Sequence, residues 1–497
     1  NVNPITRLDY PDPDVIRVED TYYMVSTTMH FMPGCEILQS FDLVHWEHVT
    51  YVYETLDHTD AQQLKSGQNI YGQGMWAASL RYHEGRFCIC FVANDTRKTY
   101  LYTSEKIDGP WKKQLIEGFY HDGSLLFDED GRNYIVYGND EIWITELNED
   151  LTAPKKDGLH RLLVSDHKNP ELGYEGSHIQ KINGYYYIFL VHSLRDRWMR
   201  TEACFYSDSL EGEFTGGDVL CDDRGYCGQG VAQGGIVDTP DGKWYAMLFQ
   251  DSGAVGRIPI LLPVTWKDHF PFFGQNGHVP EEIEVHSTRP GYIYQPLVGS
   301  DDFCNGLLPR WQFNHDPDPR YYHLDALQGT YTITTREVCT ELTQTVNTLT
   351  QRMSYPSCAA EVTVDASALK EGDVAGLCAL QGCYAAVGIT KHHGKYEVLM
   401  LDKKEDGILD MTEGTVVESH QMDFRLEADF CNMKDEARCY YRVNKGDWLP
   451  IGTVHKLYFK LDHFTGCRFG LFCYAAEETG GSACFRDFKY YDVDEIS

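Results

Sequence analysis

Apolar and polar residues alternate in short runs along most of the chain, and the runs come in pairs. In 173–187 an apolar run around Ile179 meets Asn183-Gly184 and then an aromatic run, 185–191. An Asn-Gly pair between two such runs predicts a tight hairpin. The unit occurs five times. Asp12 leads Pro-Asp-Val-Ile-Arg-Val, and Glu19-Asp20 turns into Tyr22-Tyr23. Trp76 leads the run to Tyr82, and Glu84-Gly85 turns into Phe87-Cys88-Ile89. Asp122 leads Gly-Ser-Leu-Leu-Phe, and Asp130-Gly131 turns into Tyr134-Ile135-Val136. Glu175 leads the fourth copy, and Gln233 leads a fifth that turns at Asp241-Gly242. The leader stands about ten positions before its aromatic strand, and copies recur roughly every 45–65 residues, a period of short strands that predicts a five-bladed β-propeller.

Equivalent positions of successive blades converge on the propeller axis. Asp12, Trp76, Asp122, Glu175 and Gln233 are therefore expected at one place. Each acid alone reads as turn chemistry, since Asp before Pro or Gly is common in turns. In phase across the repeat they read as a site, because blades need no acid there to fold. The prolines on either side of Asp12 bias its backbone to an extended geometry, which would fix the direction of one carboxylate as a general base requires.

Elsewhere the chain is less regular. The segment 52–70 is a polar insertion before the second copy. Arg257 lies among small and apolar residues in 253–266, where a guanidinium needs either an anionic side chain or ligand oxygens. The stretch 267–300 is rich in Pro and Gly and reads as a linker. Beyond it, short alternating strands with almost no helical periodicity predict a β-sandwich. The expected organisation is all-β: a five-bladed propeller over 1–298 and a β-sandwich over 301–497.

Composition narrows the function. The 497 residues are too many for one core. Aromatics make up 13%, including 33 Tyr, which suits strands and a sugar-binding surface. Lys+Arg 43 against Asp+Glu 75 gives a charge of −32, which argues against nucleic acid and anionic membranes as partners. No apolar run reaches the roughly 20 residues of a membrane-spanning helix. The 16 Cys lack paired zinc spacing. They read as reduced core thiols, which favours a cytoplasmic protein. The chain begins at Asn1 rather than Met, which leaves room for a removed leader.

The motifs Asn3-Pro4-Ile5, Asp12-Pro13-Asp14-Val15-Ile16, Gly74-Met75-Trp76-Ala77, Tyr174-Glu175-Gly176-Ser177-His178 and Ala254-Val255-Gly256-Arg257 resemble family 43 glycoside hydrolases. Trp311-Gln312-Phe313-Asn314-His315 resembles the start of the concanavalin-like sandwich attached to that family's β-xylosidases, which implies a jelly-roll domain packed on a catalytic propeller. The resemblance covers nearly the whole chain. It implies single-displacement hydrolysis of a terminal pentose with inversion, and it implies roles. Asp12 falls on the general base, Glu175 on the general acid, Asp122 on the acid that tunes and orients the general acid, and Arg257 on an arginine that binds sugar hydroxyls. Phe31 stands where close relatives often have Trp, and with Trp76 it would offer a face to the sugar. Gln233 stands where several relatives have His beside a channel metal or water. No cofactor is expected to be required, no metal ligands are assigned, and a channel calcium is left open. His463-Phe464-Thr465-Gly466 resembles a sandwich loop that closes one side of the pocket, which would make the enzyme exo-acting.

The chemistry of the residues agrees with these roles. Inversion needs a base for water and an acid for the leaving oxygen on opposite faces of the sugar. A third carboxylate beside Glu175 would keep it protonated by like-charge repulsion. The expected partners are xylo-oligosaccharides or arabinose-substituted oligosaccharides, and a homo-oligomer is left open. β-Xylosidase and α-L-arabinofuranosidase stay level on sequence. A non-catalytic glycan-binding propeller is the reading outside the enzyme class, and the three in-phase carboxylates speak against it.

Overall fold

The computed structural model describes residues 2–460 and 464–496. Its first five sheets have four antiparallel strands each. The blades begin with the strands Asp14–Val18, Met75–His83, Ser124–Phe127, Glu175–Ile182 and Ile236–Asp238. Each pairs with the aromatic strand that follows it. The predicted turns close these hairpins. Ile182 pairs with Tyr185 across Asn183-Gly184, whose φ angles are 50° and 86°. Two successive positive φ values match the right-handed twist of the flanking strands.

Apolar side chains seal each blade to the next. Leu80 and Phe91 pack with Val25 and Ile37 between the first and second blades. Cys88 and Cys90 pack with Leu125 and Ile135 between the second and third. Val136 meets Ile188, and Phe189 meets Leu248, at the next two seams. Val15 and Tyr22 meet Val237 and Tyr245, which closes the ring from the fifth blade to the first. The N-terminal segment fastens that closure. Ile5 donates its N–H to the Pro259 carbonyl at 2.8 Å, and Asn3 exchanges two hydrogen bonds with the backbone of Leu261 at 2.8 Å each.

The remainder is a sandwich of a nine-stranded and a seven-stranded sheet. Its core holds Tyr331, Val362, Leu377, Val387, Phe424, Phe469 and Phe485. The propeller enters this structure at two places. The short strand Phe31–Met32 leaves the first blade and pairs antiparallel with Gln312–Asn314, so it is the edge strand of the nine-stranded sheet. Ala254, Val255 and Ile258 of the fifth blade are buried in the sandwich's own apolar cluster. Arg352 of the sandwich donates to the Asp9 carbonyl at 2.8 Å and lies 3.1 Å from the Glu36 carboxylate.

Candidate active site

The five leading residues stand at the start of the five innermost strands, and the backbone turns sharply at each. Asp12, Asp122 and Gln233 have φ of 55°, 48° and 73°. Glu175 and Trp76 are followed by residues with positive φ, Gly176 at 66° and Ala77 at 33°. The pairing register also shifts just after Trp76 and just after Glu175, and such bulges re-aim side chains. Asp12 is thus in the left-handed region rather than the extended one expected from its prolines. Asp and Asn tolerate that region better than most residues, and these turns aim the five side chains toward one another.

Asp12 is buried and accepts two hydrogen bonds. Thr27 donates its hydroxyl to Oδ2 at 2.6 Å, and Arg257 donates Nη1–H to Oδ1 at 2.7 Å. The Thr27 hydroxyl in turn accepts the Ala77 N–H at 2.8 Å, which fixes its rotamer. Arg257 therefore has the anionic partner that its apolar surroundings demand, and the partner is Asp12 itself. Its guanidinium lies 4.4 Å from the Phe464 ring centroid and 4.6 Å from that of Phe249. Asp251 lies 3.4 Å from Arg257 Nε and is hydrogen-bonded to Arg200. Burial, with the Arg257 charge nearby, pulls the Arg200 guanidinium down to about 9. A carboxylate whose direction is fixed by an arginine and a hydroxyl is placed to take a proton from water.

Glu175 is partly exposed, and its neighbour is a residue the sequence reading missed. His121 Nε2 lies 3.1 Å from Glu175 Oε2 and 3.2 Å from Asp122 Oδ2. Asp122 Oδ2 also accepts the Gly176 N–H at 2.9 Å, which ties it to the strand that carries Glu175. Burial works against a charged imidazole, but the charges and hydrogen bonds of Asp122 and then Glu175 outweigh it. They hold His121 well above the usual histidine range. For Asp122, burial pushes upward, and His121, the Gly176 N–H and the Arg257 charge together bring it below the usual carboxylate value. So a cation stands between the two acids, and repulsion between them is not the whole of their interaction. Asp122→Asn removes a negative charge from the cluster of Glu175, His121 and Asp122, so the cluster as a whole holds its protons less tightly. The alkaline limb of the pH–rate profile should therefore move to lower pH, with the acidic limb little changed, when kcat/KM is measured from pH 5 to 9.

Aromatic rings line the space between these groups. Trp76 meets Phe464 edge-to-face at 5.6 Å and His121 at 6.3 Å. Phe464 comes from the sandwich, so both domains form the site; His463, which belongs to the same sequence motif, lies outside the described residues. The Gln233 side chain lies against Gly176, where a Cβ would come within 2.6 Å of its Cγ. Phe31 does not join the group. It is 1% exposed, packed among Val374, Tyr384 and Phe472 of the sandwich, with Arg468 stacked 3.5 Å from its centroid. A ring covered on both faces offers none to a sugar, which corrects the expectation for this residue. Met29, two positions earlier, is on the site side: its sulfur accepts from the Thr465 hydroxyl at 3.7 Å, beside Phe464.

Two places bear on metal binding. His121, Asp122 and Glu175 bring ligand atoms within 4.8 Å of one another, yet these are the groups placed for proton transfer. At Gln233 the nearby acid is Glu202, which accepts the Gln233 N–H at 3.1 Å and is fully buried. Burial pushes its carboxyl well above the usual range. Calcium takes about 6–8 oxygen ligands, more than the Gln233 amide and the Glu202 carboxyl supply by themselves.

A carboxyl group gripped by an arginine, and an acid beside a charged imidazole, face a ringed space at the axis of a five-bladed propeller. That is the equipment of a glycoside hydrolase. Residues 2–271 match the family of glycosyl hydrolases family 43, and residues 300–491 match the beta xylosidase C-terminal concanavalin A-like domain. The chain belongs to glycoside hydrolase family 43. It is 26% identical to a beta-xylosidase of Formosa agariphila over 99% of this chain and 89% of that one. It is 23% identical to a xylosidase/arabinosidase of Butyrivibrio fibrisolvens over 99% of each. The structure is similar to that of a bifunctional GH43-CE protein of Bacteroides eggerthii, with a TM-score of 0.93 and 41% identity over 100% of this chain. The chain spans 64% of that protein's length.

Proposed function

We propose that the protein is an exo-acting, inverting β-xylosidase that releases terminal β-D-xylose from xylo-oligosaccharides. In this reading Asp12 activates a water that attacks the anomeric carbon from one face. Glu175 protonates the departing oxygen on the other. Arg257 and Gln233 reach the sugar hydroxyls, Trp76 and Phe464 flank the ring, and Asp122 orients Glu175 from below. The observation that carries it is the contrast between the two acids. Asp12 is buried, with both oxygens taken by an arginine and a hydroxyl, whereas Glu175 is partly open and joined through His121 to Asp122, a group that can resupply its proton. Phe464, reaching in from the sandwich, supports a pocket that admits a chain end. A cytoplasmic setting belongs to the same reading, with all sixteen cysteines free.

The rival is α-L-arabinofuranosidase, alone or as a second activity. A relative in Bacteroides ovatus, 25% identical over 66% of this chain, is a non-reducing end alpha-L-arabinofuranosidase. Initial rates on p-nitrophenyl β-D-xyloside and α-L-arabinofuranoside decide between them, with the larger kcat/KM expected for the xyloside. Proton NMR of the first product from xylobiose should show α-xylose. An initial β-anomer would mean retention, for which the two carboxyl groups would have to stand about 5–5.5 Å apart.

A further inference from the structure

Two buried acids outside the site grip the turn that leads into Arg257. Asp9 Oδ1 accepts the Arg257 N–H at 2.7 Å, and Asp9 Oδ2 accepts the Gly466 N–H at 2.8 Å. One carboxylate thus joins the backbone that carries Arg257 to the backbone two residues beyond Phe464. From the next position, Tyr10 donates its N–H to the Arg257 carbonyl at 2.9 Å. On the far side Asp435 of the sandwich accepts the Ala254 N–H at 3.1 Å, and Cys467 donates its N–H to the Ala254 carbonyl at 2.8 Å. The approach is close enough to demand glycine. A Cβ on Gly256 would lie 2.2 Å from Asp9 Oδ1, and one on Gly466 would lie 1.9 Å from the Val255 oxygen.

We propose that Asp9 and Asp435 are positioning residues that clamp the turn 253–257 against the sandwich segment 464–467, and so aim Arg257 at Asp12 and Phe464 at Trp76. Asp9 accepts from two backbone N–H groups and Asp435 from one, so it is Asp9 whose grip depends on both of its oxygens. An ionised carboxyl can accept from two such groups at once. A protonated one turns an O–H toward one of them and loses that bond. Burial pushes both carboxyls up to about 6. Arg352 and Arg468 face Asp9 and draw it down. Tyr10 lies beside it, and Glu36 is paired with Arg352. Lys456 and Asp429 face Asp435 with opposing effects. The clamp should therefore loosen as pH falls through about 6. The kinetic part of the test rests on the proposed pentosidase activity; the exchange part does not.

Asp9→Asn keeps the size but presents an amide N–H₂ to one of the two backbone donors. Losing a hydrogen bond to a charged group is expected to raise KM for the aryl pentoside about tenfold at pH 7, with a smaller change in kcat. In the wild type KM should climb below about pH 6; in Asp9→Asn it should already be high at pH 7, with only the smaller climb due to Asp435 remaining. Phe464→Ala added to Asp9→Asn should cost much less than in the wild type, because the ring is already misplaced. Hydrogen exchange, corrected for intrinsic rate, should speed up in peptides over 253–258 and 464–474. Asp435→Asn should give the same exchange effect in 253–258 even if Asp9→Asn does not fold. Unchanged exchange in the variants that fold, or a KM independent of pH with fully multiplicative effects of Asp9→Asn and Phe464→Ala, would overturn the proposal. A wild type inactive on both pentosides would sink the functional reading, while the exchange data would still judge the clamp.

Discussion

Glu175→Ala should divide substrates by their leaving groups. Xylobiose leaves as an alkoxide unless a proton arrives in the transition state, so its turnover should fall by about 10²–10⁴, the usual worth of a general acid. A 2,4-dinitrophenyl xyloside leaves as a stable phenolate and needs almost no protonation, so its loss should stay within about tenfold. The pH dependence should change as well, since His121 would then face Asp122 without the Glu175 oxygen now 3.1 Å away. An alkaline limb is expected for xylobiose in the wild type, and it should be weak for the dinitrophenyl substrate in the variant. If both substrates dropped together, the proton would come from elsewhere, and His121 would be the first side chain to replace.

Asp12→Ala should abolish hydrolysis of every substrate alike, because no leaving group relieves the need to activate water. A loss of at least about 10²–10⁴ is expected for both xylobiose and the dinitrophenyl xyloside. Alanine would also strand the buried Arg257 charge, and breaking a buried ion pair from one side costs about 3–5 kcal/mol. Asp12→Asn separates the two effects. Its amide oxygen still accepts from Arg257 but carries no charge, so the protein should melt between Asp12→Ala and the wild type while activity stays as low as in Asp12→Ala. Substantial activity in the asparagine variant would show that Asp12 serves Arg257 rather than water.

The blades were legible because each hairpin carries its own turn residues and its own alternation, all within about 25 residues. Phase across the repeat then singled out Asp12, Asp122, Trp76 and Glu175 without any long-range information. What escaped lies between elements. His121 matters only because the third and fourth blades are neighbours, and nothing in Tyr120-His121-Asp122 marks its imidazole over many others. Asp9 meets Gly466 across 457 positions of chain. Phe31 was misjudged because a strand of two residues carries no readable alternation, and in a strand the facing of a side chain reverses with each residue. The left-handed backbone of Asp12 escaped too, since proline statistics describe free peptides and the blade geometry overrides them.

Phe31–Met32 has a consequence for ancestry. An edge strand of one domain borrowed from the other makes the pair a single heritable unit, because the register Met32 to Phe313 and Phe31 to Asn314 must be kept on both sides. A recombinant gene that kept this propeller and took its C-terminal half from a distant cousin would splice cleanly at the proline-rich stretch. Its product would still carry a mismatched graft at residue 31. Shuffling of these halves in nature should therefore be rare, and genealogies drawn separately for the two halves should branch in the same order.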